Sequence, residues 1–243
     1  MNFIGIIPSR YASVRLPGKP LIKIKGKTMI KRVYERVEKV LNYVLVATDD
    51  ERIKKEVESF GGNVVITSTK HQSGTDRCAE ALEIFEKKEK KKFDIIINIQ
   101  GDEPFIHYEQ IKLIQKCFQE KETQIATLVK KITKKYDIFD ENKPKVIFNK
   151  NKEAIYFSRF PIPFFRDESK ISEHSFYKHI GMYAYRKDIL KKITKLSPST
   201  LEKAENLEQL RWIENNFKIK IEITNLESIS IDTKEDLEKL KNL

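Results

Sequence analysis

FIGIIPSRYASVRLPGKPL, residues 3–21, opens as a strand and then departs from the expected grammar. FIGII is an apolar run of β-forming residues, which predicts a buried strand. A helix should follow. Instead the chain carries three fixed cations (Arg10, Arg15, Lys19) and three prolines (Pro8, Pro17, Pro20), with almost no hydrophobic period. In open α/β sheets, ligands bind off the carboxyl ends of strands, where this loop begins. Gly18 permits close backbone approach, and arginine with lysine suits a polyanion such as a triphosphate. An exposed basic turn is the plainer alternative, but prolines this dense argue against an idle loop.

The following residues keep the strand–helix rhythm. Thr28 to Leu41 places Met29, Val33, Val37 and Val40 on one helical stripe. YVLVAT (Tyr43–Thr48), NVVI, DIIINI (Asp94–Ile99) and QIATLV read as strands. Helices are predicted over Asp50–Phe60, from Thr75, and across Ile111, Ile114 and Phe118. Near-continuous apolar strands between amphipathic helices predict a mostly parallel sheet flanked by helices. The second half loses that rhythm. KVIFN and AIYFSR flank a KNKE turn, FPIPFF is too proline-rich for a strand interior, and HIGMYAYR is another strand. Helices are predicted over Leu201–Asn216 and Thr233–Leu240. The reading is one α/β domain over 1–243 with an inserted antiparallel lobe at about 130–190.

Composition sets the class. The 243 residues are 40% hydrophobic and 34% charged, as in globular proteins. No apolar run reaches the roughly 18 residues of a membrane span, and no secretory signal is read. The two cysteines, Cys78 and Cys117, fall at apolar helical positions, so free thiols in a reducing cytoplasm are expected. The net charge of +11 could serve a nucleic acid. Runs such as EKKEKKK (Glu86–Lys92), with no interleaved aromatic, read better as solvated helix ends.

Several residues suit chemistry. NIQGDEP (Asn98–Pro104) puts Asp102 at a strand's carboxyl end, where a carboxylate can hold Mg²⁺ against phosphates. A capped turn is its bland reading. Asp232, in SIDTKEDL, could be a second metal carboxylate or the N-cap of the last helix. HQSGTDR (His71–Arg77) starts a helix whose N–H groups could bind a base or phosphate, or it is an ordinary capped loop. The histidines lack zinc spacing, and both the Walker and G-x-G-x-x-G loops are absent.

IPSRYASVRLPGKPL, VATDDERI, HQSGTDR, NIQGDEPFI, YFSRFPIP, HIGMYAYR, LEQLR and IDTKEDL together resemble the 3-deoxy-manno-octulosonate (Kdo) cytidylyltransferase family, in its order and over nearly the whole chain. The resemblance implies a Rossmann-like nucleotidyltransferase fold, a dimerising lobe and a homodimer. It also implies CMP transfer from CTP to Kdo with Mg²⁺, for lipopolysaccharide biosynthesis. By the same resemblance, Pro8, Arg10, Arg15 and Lys19 bind the triphosphate, with Arg10 and Lys19 also catalytic. Gln72, Ser73, Gly74, Thr75 and Arg77 lie near the cytidine, and Asp102 and Asp232 hold the metal. Gln100, Arg159, His179, Tyr183, Glu208 and Gln209 surround the sugar acid. Ser9 departs from the family's usual alanine, and Ser230 from its glycine.

Rival readings are a cytidylyltransferase for another sugar acid, of the 8-amino-Kdo or sialate type, and a basic polyanion-binding module. The sialate-activating loop usually has paired glycines and GKN, where this one ends in Pro20. The expectation is therefore an enzyme that binds neither nucleic acid nor membrane.

Overall fold

The computed structural model describes residues 1–12, 16–227 and 229–241. In chain order the elements are β1 (Phe3–Ser9), β2 (Lys23–Ile24), β3 (Lys27–Thr28), α1 (Met29–Val37), β4 (Val44–Thr48), α2 (Glu51–Ser59), β5 (Val64–Ile66), α3 (Gly74–Glu89), β6 (Ile95–Asn98) and α4 (Tyr108–Lys116). They continue as β7 (Ile125–Lys131), β8 (Lys145–Phe148), β9 (Ala154–Ser158), β10 (Tyr177–Arg186), α5 (Lys187–Ile193), α6 (Thr200–Glu205), α7 (Gln209–Glu214), β11 (Ile219–Ile223) and α8 (Lys234–Lys241). Two compact units result. One is Met1–Lys112 with Glu227–Leu243, and the other is Leu113–Leu226.

In the first unit, four parallel strands lie in the order β6-β1-β4-β5. β4 and β6 are buried at every position, as a sheet covered on both faces requires. Gly5 in β1 lets a helix approach: a Cβ there would stand 2.8 Å from Leu41 and 2.9 Å from Val37. The β2–β3 hairpin, too short for periodicity to reveal, turns through Lys25 and Gly26 at φ 46° and 82°. Positive φ at both turn residues matches the right-handed strand twist.

The second unit is mixed. β7 pairs in parallel with β11 and antiparallel with β10, while β8 and β9 form the hairpin expected around KNKE. β10 is bulged, its register with β7 shifting between Ile180 and Tyr183.

One element differs from expectation. The apolar period predicts a single helix over Leu201–Asn216, but the structure has two short ones. α6 ends at Asn206, which adopts the left-handed conformation (φ 52°) and donates its N–H to Glu202. The chain then turns Leu207 inward, 7% exposed, before α7 begins. Asparagine tolerates this conformation where other L-residues pay steric cost, and periodicity does not register it. Asn206→Ala should therefore lose about 1 kcal/mol, while Asn206→Gly stays within a few tenths of wild type. Urea denaturation of both variants checks this, and equal losses would place the break elsewhere.

Candidate active site

Three segments of the first unit meet at the carboxyl ends of β1 and β6. Gly101 follows β6, and a Cβ there would lie 2.8 Å from Ser9 Oγ and 3.1 Å from the Pro8 carbonyl oxygen. Only glycine lets the two strand exits touch. Gly74 opens α3 against Pro8, whose Cγ would be 3.3 Å from an added Cβ. Ser73 caps that helix by accepting from Asp76 N–H at 3.1 Å. Ser9 Oγ and Asn98 Oδ1 are buried without a hydrogen-bond partner among the described residues. Each such group costs about 1–3 kcal/mol, so polar atoms left in this way mark a place for something to bind. A cavity of about 430 Å³ opens here, lined by Pro8, Arg10, Lys19, Gln100, Asp102 and Asp232 among others.

Lys19 organises that cavity. Its ammonium donates to Asp102 Oδ2 at 2.6 Å and to Asp232 Oδ1 at 2.9 Å. The backbone ties the two acids further, because Ile231 N–H donates to the Asp102 carbonyl at 2.9 Å. At the start of α8, Thr233 Oγ1 accepts from Asp236 N–H, and Asp236 Oδ2 accepts from the N–H groups of Asp232 and Thr233. Thr233 and Asp236 thus form a reciprocal cap. Behind the charges, Leu16, Ile24, Met29 and Ile231 form an apolar cluster with Ile22, Phe105 and Leu237 packed against it. These are chain neighbours of the three charged residues, so the same cluster anchors all three.

The second unit builds a different surface. Residues four apart in a regular strand stand about 13 Å apart. The β10 bulge instead brings the His179 and Tyr183 rings to 5.1 Å. Thr127 secures the bulge: its hydroxyl lies 2.7 Å from the Met182 carbonyl, 3.2 Å from that of Ile180 and 3.0 Å from His179 Nε2. With the hydroxyl proton given to a carbonyl, its oxygen accepts from His179 Nε2–H, which assigns the tautomer. Trp212 stands edge-on to Tyr183 and Tyr185, at 5.0 and 5.6 Å. Tyr183 Oη, Gln209 Nε2 and Trp212 Nε1 are all buried without a hydrogen-bond partner among the described residues. Burial, with the charge of Glu208, holds the Tyr183 hydroxyl well above its ordinary value, so it remains a neutral donor.

A cytidylyltransferase family model matches residues 4–223. A relative from Parabacteroides distasonis, named 3-deoxy-manno-octulosonate cytidylyltransferase, is 57% identical over 98% of this chain and 96% of its own. A protein of the same name from Bacteroides thetaiotaomicron is 53% identical over 100% of this chain and 99% of its own. A solved structure described as CMP:2-keto-3-deoxy-manno-octonic acid synthetase complexed with CTP is 39% identical, with a TM-score of 0.89, over 100% of this chain and 98% of that one. The chain belongs to the 3-deoxy-manno-octulosonate cytidylyltransferase family.

Against that family's pattern, the expected residues fall into distinct groups. Pro8, Arg10, Lys19, Gln100, Asp102 and Asp232 share the cavity, and Gly74 abuts it. Gln72, Ser73 and Thr75 stand beside Gly74 at the start of α3. Arg15 lies outside the described residues. Arg77 is 1% exposed, and its guanidinium donates to Asp49 at 2.7 Å and Thr67 at 2.6 Å. Those bonds leave it tying the ends of two strands together. In the second unit, His179, Tyr183, Glu208 and Gln209 gather around the bulge. The Arg159 guanidinium donates to the carbonyls of Glu205, Glu141 and Asn206, while its backbone N–H donates to the Glu205 carboxylate at 2.9 Å. Sequence reading passed over Thr127, Trp212 and Asn98. A threonine in an apolar strand carries no signal until its bulged neighbour is seen, whereas Asn98, polar at the end of DIIIN, could have been noticed.

His179 gives this family member a pH signature. Its ring packs between Phe157 and Tyr183, and desolvation pushes its pKa down to about 3. The unfolded chain has the ordinary value near 6.5, so below that pH it takes up a proton that the native state refuses. The stabilisation is complete above pH ~6.5 and lost as pH falls toward about 3. Denaturant melts at pH 7 and pH 4.5 should show His179→Gln losing less stability than wild type on acidification. The difference should be on the order of 1–2 kcal/mol, allowing for the part of His179 that remains exposed. Equal acid losses would contradict a neutral His179.

Proposed function

We propose that this chain transfers CMP from CTP to the anomeric hydroxyl of Kdo and releases pyrophosphate, supplying an activated sugar for lipopolysaccharide biosynthesis in the cytoplasm. The observation that carries this reading is that Arg10 and Lys19 share one cavity with two carboxylates. A polyanion needs the cations, and a divalent metal needs the acids.

The residues fit magnesium. Asp102 and Asp232 already converge on a single positive centre, the Lys19 ammonium. Among the described residues no third acidic, histidine or cysteine side chain joins them, and Mg²⁺ at nucleotide sites takes one or two carboxylates plus phosphate oxygens. When bound, the ion would neutralise phosphate charge. Arg10 and Lys19 would hold the triphosphate with its α-phosphorus open to in-line attack. The sugar hydroxyl oxygen forms the new P–O bond as the bond to pyrophosphate breaks, and the hydroxyl proton is released. Little acid–base machinery is required, and positioning with charge neutralisation supplies most of the rate.

Sugar selection rests on neutral polar groups and one cation. His179, Tyr183 and Gln209 supply hydrogen bonds in a desolvated setting, with Glu208 beside them. The Arg159 guanidinium, oriented by carbonyls, supplies a cation for the C1 carboxylate of a 2-keto sugar acid. The exposed Phe160 and Phe164, 75% and 87% accessible, support a homodimer through the second unit.

A pyrophosphate-release assay with CTP, Mg²⁺ and a panel of sugar acids tests the whole reading. Release should require both CTP and Kdo, and Asp102→Asn should slow turnover by at least about 10²-fold, near 2.7 kcal/mol of barrier. Release with sialate in preference to Kdo, or unchanged turnover in Asp102→Asn, would overturn it.

A further inference from the structure

The loop that carries Arg10 and Lys19 is closed at its neck by residues with no role in the account so far. Gly18 N–H donates to the Tyr11 carbonyl at 3.0 Å, so the flanks of Arg10 and Lys19 are joined directly. Gly18 has φ +68°, and a Cβ on it would stand 3.1 Å from the Tyr11 ring, which therefore lies flush on the glycine. The Arg52 guanidinium sits 3.3 Å from the centroid of the same ring. Arg52 is itself fixed, donating through Nε and NH2 to Asp50 at 2.9 and 2.7 Å. Asp50 also caps α2 by accepting Arg52 N–H at 2.9 Å, and α2 is anchored through buried Ile53 and Val57.

We infer that Tyr11 and Arg52 are positioning residues for the nucleotide: Arg52, held by Asp50 on α2, pins the Tyr11 ring against Gly18 and so fixes the spacing of Arg10 and Lys19. A bidentate, planar guanidinium can be held by a carboxylate and still stack on an aromatic face, which an ammonium cannot. Leu16 anchors the Lys19 side of the loop in the apolar cluster, and this stack holds the Tyr11 side. Preorganisation of this kind shows as affinity for the ligand the loop grips. The inference rests on the proposal that this loop takes the triphosphate of CTP.

The test is kinetics and CTP calorimetry on wild type, Arg52→Ala, Arg52→Lys, Tyr11→Ala, Tyr11→Phe and the Tyr11→Ala/Arg52→Ala pair. Arg52→Ala and Tyr11→Ala should each weaken CTP binding and raise its KM about 3- to 10-fold, with the KM for the sugar acid unchanged. Tyr11→Phe, which keeps the ring, should recover most of the loss, and Arg52→Lys should not. The double variant should be no worse than either single one, because both act through one contact. Thermal melts separate this from general unfolding, which would impair both substrates alike. Additive losses would mean that Arg52 touches the nucleotide itself, and an unchanged CTP affinity in Arg52→Ala would remove the clamp. Wild type that binds no CTP would instead defeat the assignment of the loop, and the inference falls with it.

Discussion

A single ammonium between two carboxylates sets the geometry on which the first unit depends. Lys19 is 83 residues from Asp102 and 213 from Asp232 in sequence, yet it donates to both. Two carboxylates this close repel unless a cation stands with them, and a half-buried lysine is poorly solvated unless acids surround it. Each group therefore makes the others tolerable. The apolar cluster behind them, from Leu16, Ile24, Met29 and Ile231, holds the three backbones where the charges need them. Removing Lys19 would leave two neighbouring carboxylates without their cation, which ties a local site to the folding of distant segments.

The two units handle their chemistry by different physics. In the first, fixed charges and strand exits brought together by Gly101 make a polar cavity suited to phosphates. In the second, a bulge in β10 gathers neutral groups, among them Tyr183 and Gln209, which each hold a buried polar atom without a partner among the described residues. Such groups discriminate sharply, because a ligand lacking the matching hydroxyl would leave them unpaired. Arg159 adds one cation, its guanidinium oriented by the carbonyls of Glu205, Glu141 and Asn206. On the proposed function, affinity for a nucleotide and selectivity for a sugar acid draw on separate resources.

Much of this was legible in the sequence, for physical reasons. Period-3.6 stripes and continuous apolar runs mark α1, β4 and β6 because burial on both faces dictates them. Asp102 and the basic loop stood out because charge and proline are costly at a strand exit unless they serve something. The choice between cap and ligand for Asp232 could not be made from SIDTKEDL, since Asp232 and Thr233 are both good caps; in the structure Thr233 Oγ1 accepts from Asp236 N–H. Arg77 reads as a nucleotide contact in HQSGTDR, yet its guanidinium is engaged by Asp49 and Thr67, a pairing no local pattern discloses. The break at Asn206 and the bulge before Tyr183 are likewise backbone choices that leave no mark on hydrophobic period.

The most direct measurement is a calorimetric titration of CTP into the chain, with and without Mg²⁺, for wild type and for an Asp102→Asn/Asp232→Asn variant. If the carboxylate pair holds the metal that meets the triphosphate, wild type binds CTP more tightly with Mg²⁺ and the variant loses that dependence. CTP affinity indifferent to Mg²⁺ in wild type, or an equal Mg²⁺ dependence in the variant, would contradict the account.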